Sequence, residues 1–312
     1  MTLLLYDDIY LKHDTGAHHP ENYKRLENTV GHLKTTGLWD RCTMAKPRAA
    51  TVEEIALVHD RDYIDQAREV AGRGGGQLDP DTTLSRDSYQ AALYAAGALL
   101  TAADAIIENK SRNAFCMVRP PGHHAMPARG MGFCVFNNVA IAAQYLISRH
   151  KLGRVVIIDW DCHHGNGTQE IFYGDDHILY LSLHRWPFYP GTGAANETGS
   201  GRGEGFTINI PVSGDTPPAE YRRLFTDVMN GRVSDFRPEF IIISAGFDGY
   251  AGDPIAGLGL KPEDFAALTR TTMDVAHSCC GDRILSCLEG GYDLQGLALC
   301  AEQHLKTLLE AE

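Results

Sequence analysis

Short, continuously apolar runs recur along the chain, and they constrain the fold more than any other feature. Each has four to six residues and is rich in β-branched or aliphatic side chains. Such runs are typical of strands buried on both faces, as in a parallel sheet. The predicted strands are Thr2–Tyr6, Ala114–Val118, Val155–Ile158, Ile178–Leu183, Phe206–Ile210, Phe240–Ser244 and Arg283–Leu288.

Longer stretches with helical spacing separate these runs. Strands that alternate with helices predict an α/β fold: a mainly parallel β-sheet with helices on both faces. Because no linker or low-complexity tract divides the 312 residues, we expect a single domain over residues 1–312. The predicted helices are Ser88–Asn109, Asn137–His150, Pro218–Asp235, Pro262–Cys280 and Leu294–Leu309.

Four of the predicted strands stop at clusters of polar residues. In open α/β sheets the ligand crevice lies beyond the carboxyl ends of the strands, so we expect one shared active site there. The clusters are Arg119-Pro-Pro-Gly-His123-His124, Asp159-Trp-Asp161-Cys-His163, Ala245-Gly-Phe-Asp248 and Glu289-Gly-Gly-Tyr292.

The second cluster predicts a metal site. Asp159, Asp161 and His163 stand at i, i+2 and i+4, so an extended backbone would point all three side chains the same way. The alternative is a capped turn whose side chains satisfy loose backbone groups. Asp248 is the natural third ligand beside Asp161 and His163, and three protein ligands are typical of a catalytic zinc site.

Two adjacent histidines supply candidates for the general base. His123 and His124 follow a Pro-Pro-Gly segment, and Asp159 and Asn166 could orient their rings. Tyr292 could donate a hydrogen bond to a developing oxyanion. The alternatives are a structural histidine pair and a tyrosine that merely begins a helix.

Aromatic residues predict a narrow substrate channel. Gly132-Phe133 follows the histidines, and Phe188-Tyr189 lies in a glycine-rich loop. These rings could line a slot for an aliphatic chain, or they could pack in the core beneath a mobile loop.

Composition excludes several functional classes. The net charge is −12 without a basic cluster, which argues against nucleic-acid binding. The apolar run at Met1–Tyr6 is too short for a signal peptide or membrane span, so we expect a cytoplasmic protein that contacts no membrane. Seven of the cysteines lie in or beside apolar runs without a Cys-x-x-Cys pair and are interpreted as reduced core residues.

Together the motifs resemble the histone deacetylase and acetylpolyamine amidohydrolase family over nearly the whole chain. The resemblance rests on His19-Pro-Glu with Arg25, Arg119-Pro-Pro-Gly-His123-His124, Gly132-Phe-Cys, Asp159-x-Asp161-x-His163-His164-Gly-Asn166-Gly, Pro190-Gly-Thr-Gly, Gly-Phe-Asp248 and Gly-Gly-Tyr292. Asn166, with Thr168 and Gln169 behind it, is similar to the class II branch, since class I members carry an aspartate there.

The resemblance implies an arginase-like three-layer α/β fold and a role for each matching residue. Zinc, or ferrous iron in the cell, would bind Asp161, His163 and Asp248, one ion per chain. His124 would be the general base, His123 paired to Asp159 the electrostatic partner or acid, and Tyr292 would polarise the acyl carbonyl. The implied substrate residues are Gly132, Phe133, Tyr189 and a rim aspartate matched to Asp87. A structural potassium ion is implied near Asp159, Asp161, His163, Ser182 and Leu183.

The expected reaction is removal of an acetyl or similar short acyl group from an acyl-lysine side chain. The alternatives are an acetylated polyamine or other small cationic acyl-amide as substrate, a binuclear manganese ureohydrolase, and a non-catalytic acyl-lysine binder. The second metal is disfavoured because Gly165, Gly249 and Tyr250 stand where further carboxylates would be needed. The sequence leaves open whether the chain forms a homo-oligomer.

Overall fold

The structure, a computed structural model, describes residues 1–310. Ala311 and Glu312, the last two residues of the predicted domain, lie outside the described part. The strands are β1 (Thr2–Leu5), β2 (Thr43–Ala45), β3 (Gly75–Asp79), β4 (Thr82–Ser85), β5 (Asn113–Cys116), β6 (Val155–Asp159), β7 (Ile178–Arg185), β8 (Thr207–Val212), β9 (Phe240–Ala245) and β10 (Ile284–Leu288).

Helices connect most of these strands. The α-helices are α1 (Lys24–Thr35), α2 (Leu38–Arg41), α3 (Val52–Ile55), α4 (Arg61–Gly72), α5 (Ser88–Ile107), α6 (Asn138–His150), α7 (Asn166–Phe172), α8 (Pro218–Val228), α9 (Ser234–Phe236), α10 (Pro262–Cys280) and α11 (Leu294–Leu309). Short 3₁₀ helices span Asp8–Lys12 and Gly201–Gly203, and a π-helical turn spans Met229–Val233.

An eight-stranded sheet organises the chain, with the order β2-β1-β5-β10-β9-β6-β7-β8. Every neighbouring pair is parallel. The inner strands β5, β6, β9 and β10 are buried at every residue, because helices cover both faces.

The helices form two groups, each packed within itself. One group contains α3, α4, α5, α6 and α7, and the other contains α1, α2, α8, α10 and α11. Helix α5 is long and apolar enough to cross a membrane by length and composition alone, but 61% of its most apolar window is buried within the protein. The predicted three-layer α/β fold with a parallel sheet is confirmed.

All seven predicted strands are present with shifted ends, but other elements were missed. The antiparallel hairpin β3–β4 and the edge strand β2 are short and partly exposed, so they lack the continuous apolar run. Helix α1 buries Leu26, Val30 and Leu33, a helical spacing that could have been found. The predicted helix Pro218–Asp235 is interrupted by the π-helical turn at Met229–Val233.

Candidate active site

The four polar clusters follow four neighbouring strands. These strands, β5, β10, β9 and β6, are the middle of the sheet. Because all are parallel, their carboxyl ends meet at one edge, and the clusters converge there.

The turn after β6 is capped by its own side chains, which was the alternative interpretation, and the metal site stays a prediction. The strand ends at Asp159 rather than continuing to His163. The Asp161 N–H donates to Asp159 Oδ1 (3.1 Å), and the His163 N–H donates to Asp161 Oδ1 (2.9 Å). The carboxylates therefore stabilise the turn and also present oxygens to the site.

Asp161, His163 and Asp248 bring three potential metal-ligand atoms within 4.8 Å of one another, and all three residues are buried. His163 Nδ1 lies 3.1 Å from Asp161 Oδ1 and 2.8 Å from Asp248 Oδ2. The 2.8 Å contact does not have hydrogen-bond geometry, so the buried Asp248 Oδ2 accepts no hydrogen bond. An orphaned carboxylate oxygen beside an imidazole nitrogen fits the donor set of a divalent cation.

Electrostatics and backbone contacts support this fit. Burial and the neighbouring Asp161 carboxylate raise the pKa of Asp248 to about 7, and a bound cation would relieve that repulsion. The Cys162 N–H donates to Asp248 Oδ1 (2.8 Å) and the Gly290 N–H donates to Asp161 Oδ2 (2.9 Å). A Cβ at Gly290 would lie 2.6 Å from that Asp161 oxygen, so glycine is required.

The two histidines have opposite electrostatic surroundings. His123 Nδ1 lies 3.0 Å from Asp159 Oδ2, whereas His124 Nδ1 lies 2.8 Å from Asn166 Oδ1. Burial alone would lower the pKa of His123, but Asp161 and Asp159 raise it to about 10. Burial, together with His123 and His163, lowers the pKa of His124 well below its ordinary value. These surroundings favour the charged form of His123 and the neutral form of His124.

Tyr292 presents a neutral phenol to the same space. Burial raises the pKa of Tyr292 well above its ordinary value, and the nearby Arg25 opposes this. The Arg25 guanidinium carbon lies 5.1 Å from the Tyr292 ring centroid. The hydroxyl therefore retains its proton and can donate a hydrogen bond.

A cavity of about 250 Å³ leads to these groups. It is lined by Asp81, His124, Gly132, Phe133, His163, Phe188, Tyr189, Ile255 and Tyr292. Phe188 stacks on His163 with ring centroids 5.2 Å apart, and Tyr189 meets His124 edge-on at 5.2 Å. The aromatic residues thus form walls that contact His124 and His163. We use the term floor for His124, His163 and Tyr292 together with Asp161 and Asp248, the carboxylates beside His163.

Gly132 lies between His124 and the wall residue Phe133. Its φ is +58°, and a Cβ would lie 2.4 Å from His124 Cδ2. Phe133 follows with φ 68°. The turn therefore requires glycine and directs the Phe133 ring into the cavity wall.

The structure does not bring Asp87 to this cavity. Asp87 is exposed at the start of α5, so its expected role at the rim has no structural support. Asp81 lies in the cavity instead, in the turn between β3 and β4, and accepts the Gly132 N–H through Oδ1 (3.0 Å). Sequence reasoning missed Asp81 because it missed the hairpin.

The residues expected to hold potassium lie together on two neighbouring strands and the turn beyond. Asp159 pairs with Ser182 in the register of β6 and β7, and Leu183 follows. Ser182 Oγ already contacts His184 Nδ1 (2.9 Å), and Leu183 O accepts the Tyr221 hydroxyl (3.2 Å). Carbonyl and hydroxyl oxygens are of the kind that suits a hard cation.

A buried ion cluster behind the site was also missed. Glu21 accepts hydrogen bonds from Arg119 Nη2 (2.7 Å) and Arg25 Nη1 (2.9 Å). Burial would raise the pKa of Glu21, but the two arginines lower it below its ordinary value. Arg25 Nε also donates to Gly291 O (2.6 Å), which ties the cluster to the Tyr292 turn. The His-Pro-Glu motif was the available signal.

Comparisons with known proteins agree with this architecture. The model of the histone deacetylase domain matches residues 19–308. A probable deacetylase of Archaeoglobus fulgidus is 40% identical over 298 residues, covering 95% of this chain and 82% of that protein. Histone deacetylase 6 of Caenorhabditis elegans is 39% identical, covering 94% of this chain and 33% of that protein.

A solved structure supports the same conclusion. The crystal structure of the HDA15 HD domain aligns with a TM-score of 0.94 at 38% identity, covering 99% of this chain and 88% of that chain. The expected arginase-like three-layer fold is therefore confirmed. With a family match over most of its length and relatives this similar, the chain belongs to the histone deacetylase family.

Proposed function

We propose that this chain hydrolyses the side-chain amide of an acyl-lysine, removing an acetyl or similarly short acyl group, with one zinc ion per chain. The carrying observation is that Asp161, His163 and Asp248 converge beside an aromatic cavity, and that His163 lines this cavity together with His124 and Tyr292. A non-catalytic binder of acyl-lysine would not need all of these reactive groups.

The proposed metal would be held by Asp161, His163 and Asp248, and ferrous iron is the alternative ion. Bound there, a divalent ion would supply Lewis-acid chemistry for amide hydrolysis. Two of the three residues are carboxylates, which reduce the net charge at the site. A separate base is therefore needed to remove a proton from water.

His124 has the properties of that base. Its lowered pKa favours the uncharged imidazole, and it lines the cavity. His124 would take a proton from water as the amide carbonyl is attacked, and Asn166 would hold the ring through Nδ1.

His123 and Tyr292 would stabilise the negative charge that develops on the amide carbonyl oxygen. Protonated His123, held by Asp159, would stabilise the negative charge or supply the proton for the leaving amine. Tyr292 would donate its O–H to the carbonyl oxygen. Phe133, Phe188 and Tyr189 would enclose the methylene chain, and the Gly132 carbonyl would accept the substrate N–H.

Potassium remains part of the proposal as a structural ion. Asp159, Asp161, His163, Ser182 and Leu183 would hold it through oxygen atoms, which suit hard cations. Bound there, it would stabilise the turn that carries two of the metal ligands.

The substrate class is tested by a panel of acetylated compounds. We expect a higher kcat/KM for an acetyl-lysine peptide than for acetylated putrescine or spermidine, because the cavity walls are mainly aromatic and a polyamine would bury charged nitrogens between them. If kcat/KM were about tenfold or more higher for the polyamines, the expectation would be wrong, because burying their charged nitrogens would then not be costly in this cavity.

An acetylated polyamine is the second candidate, and Asp81 is the observation that favours it. Its carboxylate is the acid that lines the cavity, and it could pair with an ammonium or accept a substrate backbone N–H. Asp81→Asn separates the cases: a loss confined to polyamines indicates ammonium binding, whereas a loss confined to peptides indicates backbone binding.

Metal content tests the chemistry directly. Purified protein should contain about one divalent ion per chain, and activity removed by a chelator should return with zinc or cobalt. Two tightly bound manganese ions would contradict the single-metal proposal and favour the ureohydrolase alternative.

A further inference from the structure

Glu289 is a buried acid that the proposed reaction does not use. It follows β10 directly and precedes the Gly290-Gly291-Tyr292 turn. Its exposed fraction is 0%. A fully buried carboxylate is costly unless its oxygens are well paired, so its partners indicate what it does.

Its side chain contacts the loop that carries both histidines. Oε2 accepts the backbone N–H of Gly122 (2.7 Å) and of His123 (3.2 Å). The loop follows β5, the strand beside β10. The carboxylate therefore clamps the start of the His123-His124 segment against the end of the neighbouring strand.

The main chain around Glu289 reaches two other parts of the site. The next residue, Gly290, donates its N–H to Asp161 Oδ2 (2.9 Å). The Glu289 carbonyl accepts Arg25 Nη2 (2.5 Å), and Arg25 lies over the Tyr292 ring. Glu289 and the residue after it thus link the His123-His124 loop to Asp161 and, through Arg25, to Tyr292.

A metal-binding role for Glu289 is disfavoured. His123, Cys134 and Glu289 bring ligand-type atoms within 4.8 Å of one another. However, Glu289 Oε2 already accepts two backbone N–H groups, and His123 Nδ1 is paired with Asp159. These contacts hold the loop and leave no open ligand set.

We infer that Glu289 is a positioning residue for proton transfer, whose carboxylate fixes His123 and His124 relative to Asp161 and Tyr292. This inference rests on the proposed amide hydrolysis. A shift of about 1 Å in a reacting group can cost about 10²-fold in rate, so the clamp should affect kcat more than substrate affinity.

Glu289→Asp tests the clamp because it retains the charge and retracts the oxygens by one methylene. We expect kcat to fall about 10²-fold with KM nearly unchanged and the metal content retained. Glu289→Gln keeps the length and one oxygen acceptor, and its amide can donate to Ser244 Oγ, which lies 3.4 Å from Oε1. It should restore most of kcat.

Ser244→Ala is the matched control. It removes the partner of the other carboxylate oxygen, on the adjacent strand β9, and leaves the histidine loop untouched. We expect its kcat to remain near that of the parent chain. Glu289→Asp with normal kcat per folded, metal-loaded chain would overturn the inference, and so would Glu289→Gln losing as much activity as Glu289→Asp.

Backbone amide hydrogen exchange gives a readout independent of turnover. The Gly122 and His123 amides should be protected in the parent chain and in Glu289→Gln, and should exchange faster in Glu289→Asp. Unchanged protection in Glu289→Asp would contradict the clamp. Faster exchange in Glu289→Asp, together with a parent chain that shows no activity toward any acyl-amide, would support the clamp and place the failure in the proposed function.

Discussion

The floor and the walls of the cavity are built by different means. On the floor, Asp161 and Asp248 are 1% and 0% exposed, and each accepts a hydrogen bond from a backbone N–H. On the wall, Tyr189 is 39% exposed, and its described contacts with the floor are ring contacts with His124 and His163. Directional bonds to the main chain fix the two carboxylates, whereas the Tyr189 part of the wall depends on ring packing.

This difference indicates that the floor and the walls have separate roles. Groups that must keep their spacing for chemistry are tied to the ends of four central strands. Groups proposed to contact the substrate chain lie on loops and a hairpin turn, where changes disturb the sheet less. Substitutions in the floor should therefore affect metal content and kcat, and substitutions in the wall should affect KM.

Removing a metal ligand should have the largest effect. Asp248→Ala takes away one of three converging ligands, so metal content should fall from about one ion per chain toward zero. The kcat/KM should fall about 10³-fold or more, because a bound Lewis acid is worth several kcal/mol. Metal analysis and steady-state kinetics measure both.

Asp274→Asn is the control for that experiment, since Asp274 is exposed on α10. It should change neither metal content nor rate. An Asp248→Ala chain that keeps its metal and its activity would remove Asp248 from the proposed site.

Removing the tyrosine hydroxyl should have the next largest effect. Tyr292→Phe keeps the ring contacts with Phe133 and Arg25 but deletes the donor. The kcat should fall about 10²-fold or more with KM little changed, as for loss of one oxyanion donor.

The exposed Tyr23 supplies the control, and Tyr23→Phe should leave kcat unchanged. Near-normal kcat in Tyr292→Phe would show that the hydroxyl is structural.

Asn166→Asp tests the contrast between His123 and His124, because it gives His124 a carboxylate partner like that of His123. Asn166→Asp would place a carboxylate 2.8 Å from His124 Nδ1, where an amide oxygen now lies. A carboxylate favours imidazolium and raises the pKa of His124, so the free base would be lost at a higher pH. The acidic limb of the kcat/KM profile should move upward by about one pH unit or more.

The basic limb of the same profile serves as the internal reference and should move less. An unmoved acidic limb would mean that Asn166 does not control the base.

Truncation of a wall residue should have the smallest effect. Tyr189→Ala removes a half-exposed ring from the cavity but breaks no described bond to the metal ligands. KM for an acetyl-lysine peptide should rise about fivefold, since an aromatic contact is worth roughly 1 kcal/mol, with kcat nearly unchanged. If kcat fell by a larger factor than KM rose, Tyr189 would contribute to the chemical step as the floor residues are expected to do.

Sequence reasoning was most effective where residues follow a buried strand directly. Asp159, Asp161, Asp248 and Tyr292 come after apolar runs, and parallel pairing necessarily brings such strand ends together. Asp81 could not be found in this way because the hairpin that carries it is short and half-exposed. Asp87, only six residues further along the chain, directly precedes α5, is exposed, and is absent from the cavity lining.

Other features depend on side-chain orientation, which the order of elements does not determine. The Glu289 clamp depends on which neighbouring N–H groups face its carboxylate. The contrast between His123 and His124 could be predicted in direction, because an aspartate and an asparagine were assigned as their partners. Its size depends on burial, which only the folded chain defines.

The strand order also bears on how the protein is made. β10 comes last among the described strands yet lies between β5 and β9 in the middle of the sheet. During synthesis these two strands must wait, with unpaired edges, until Ile284–Leu288 leaves the ribosome. A nascent chain ending at Cys280 would lack both the central pairing and Tyr292. Such a chain would expose two unpaired strand edges and would therefore be prone to aggregation until the final strand pairs with them.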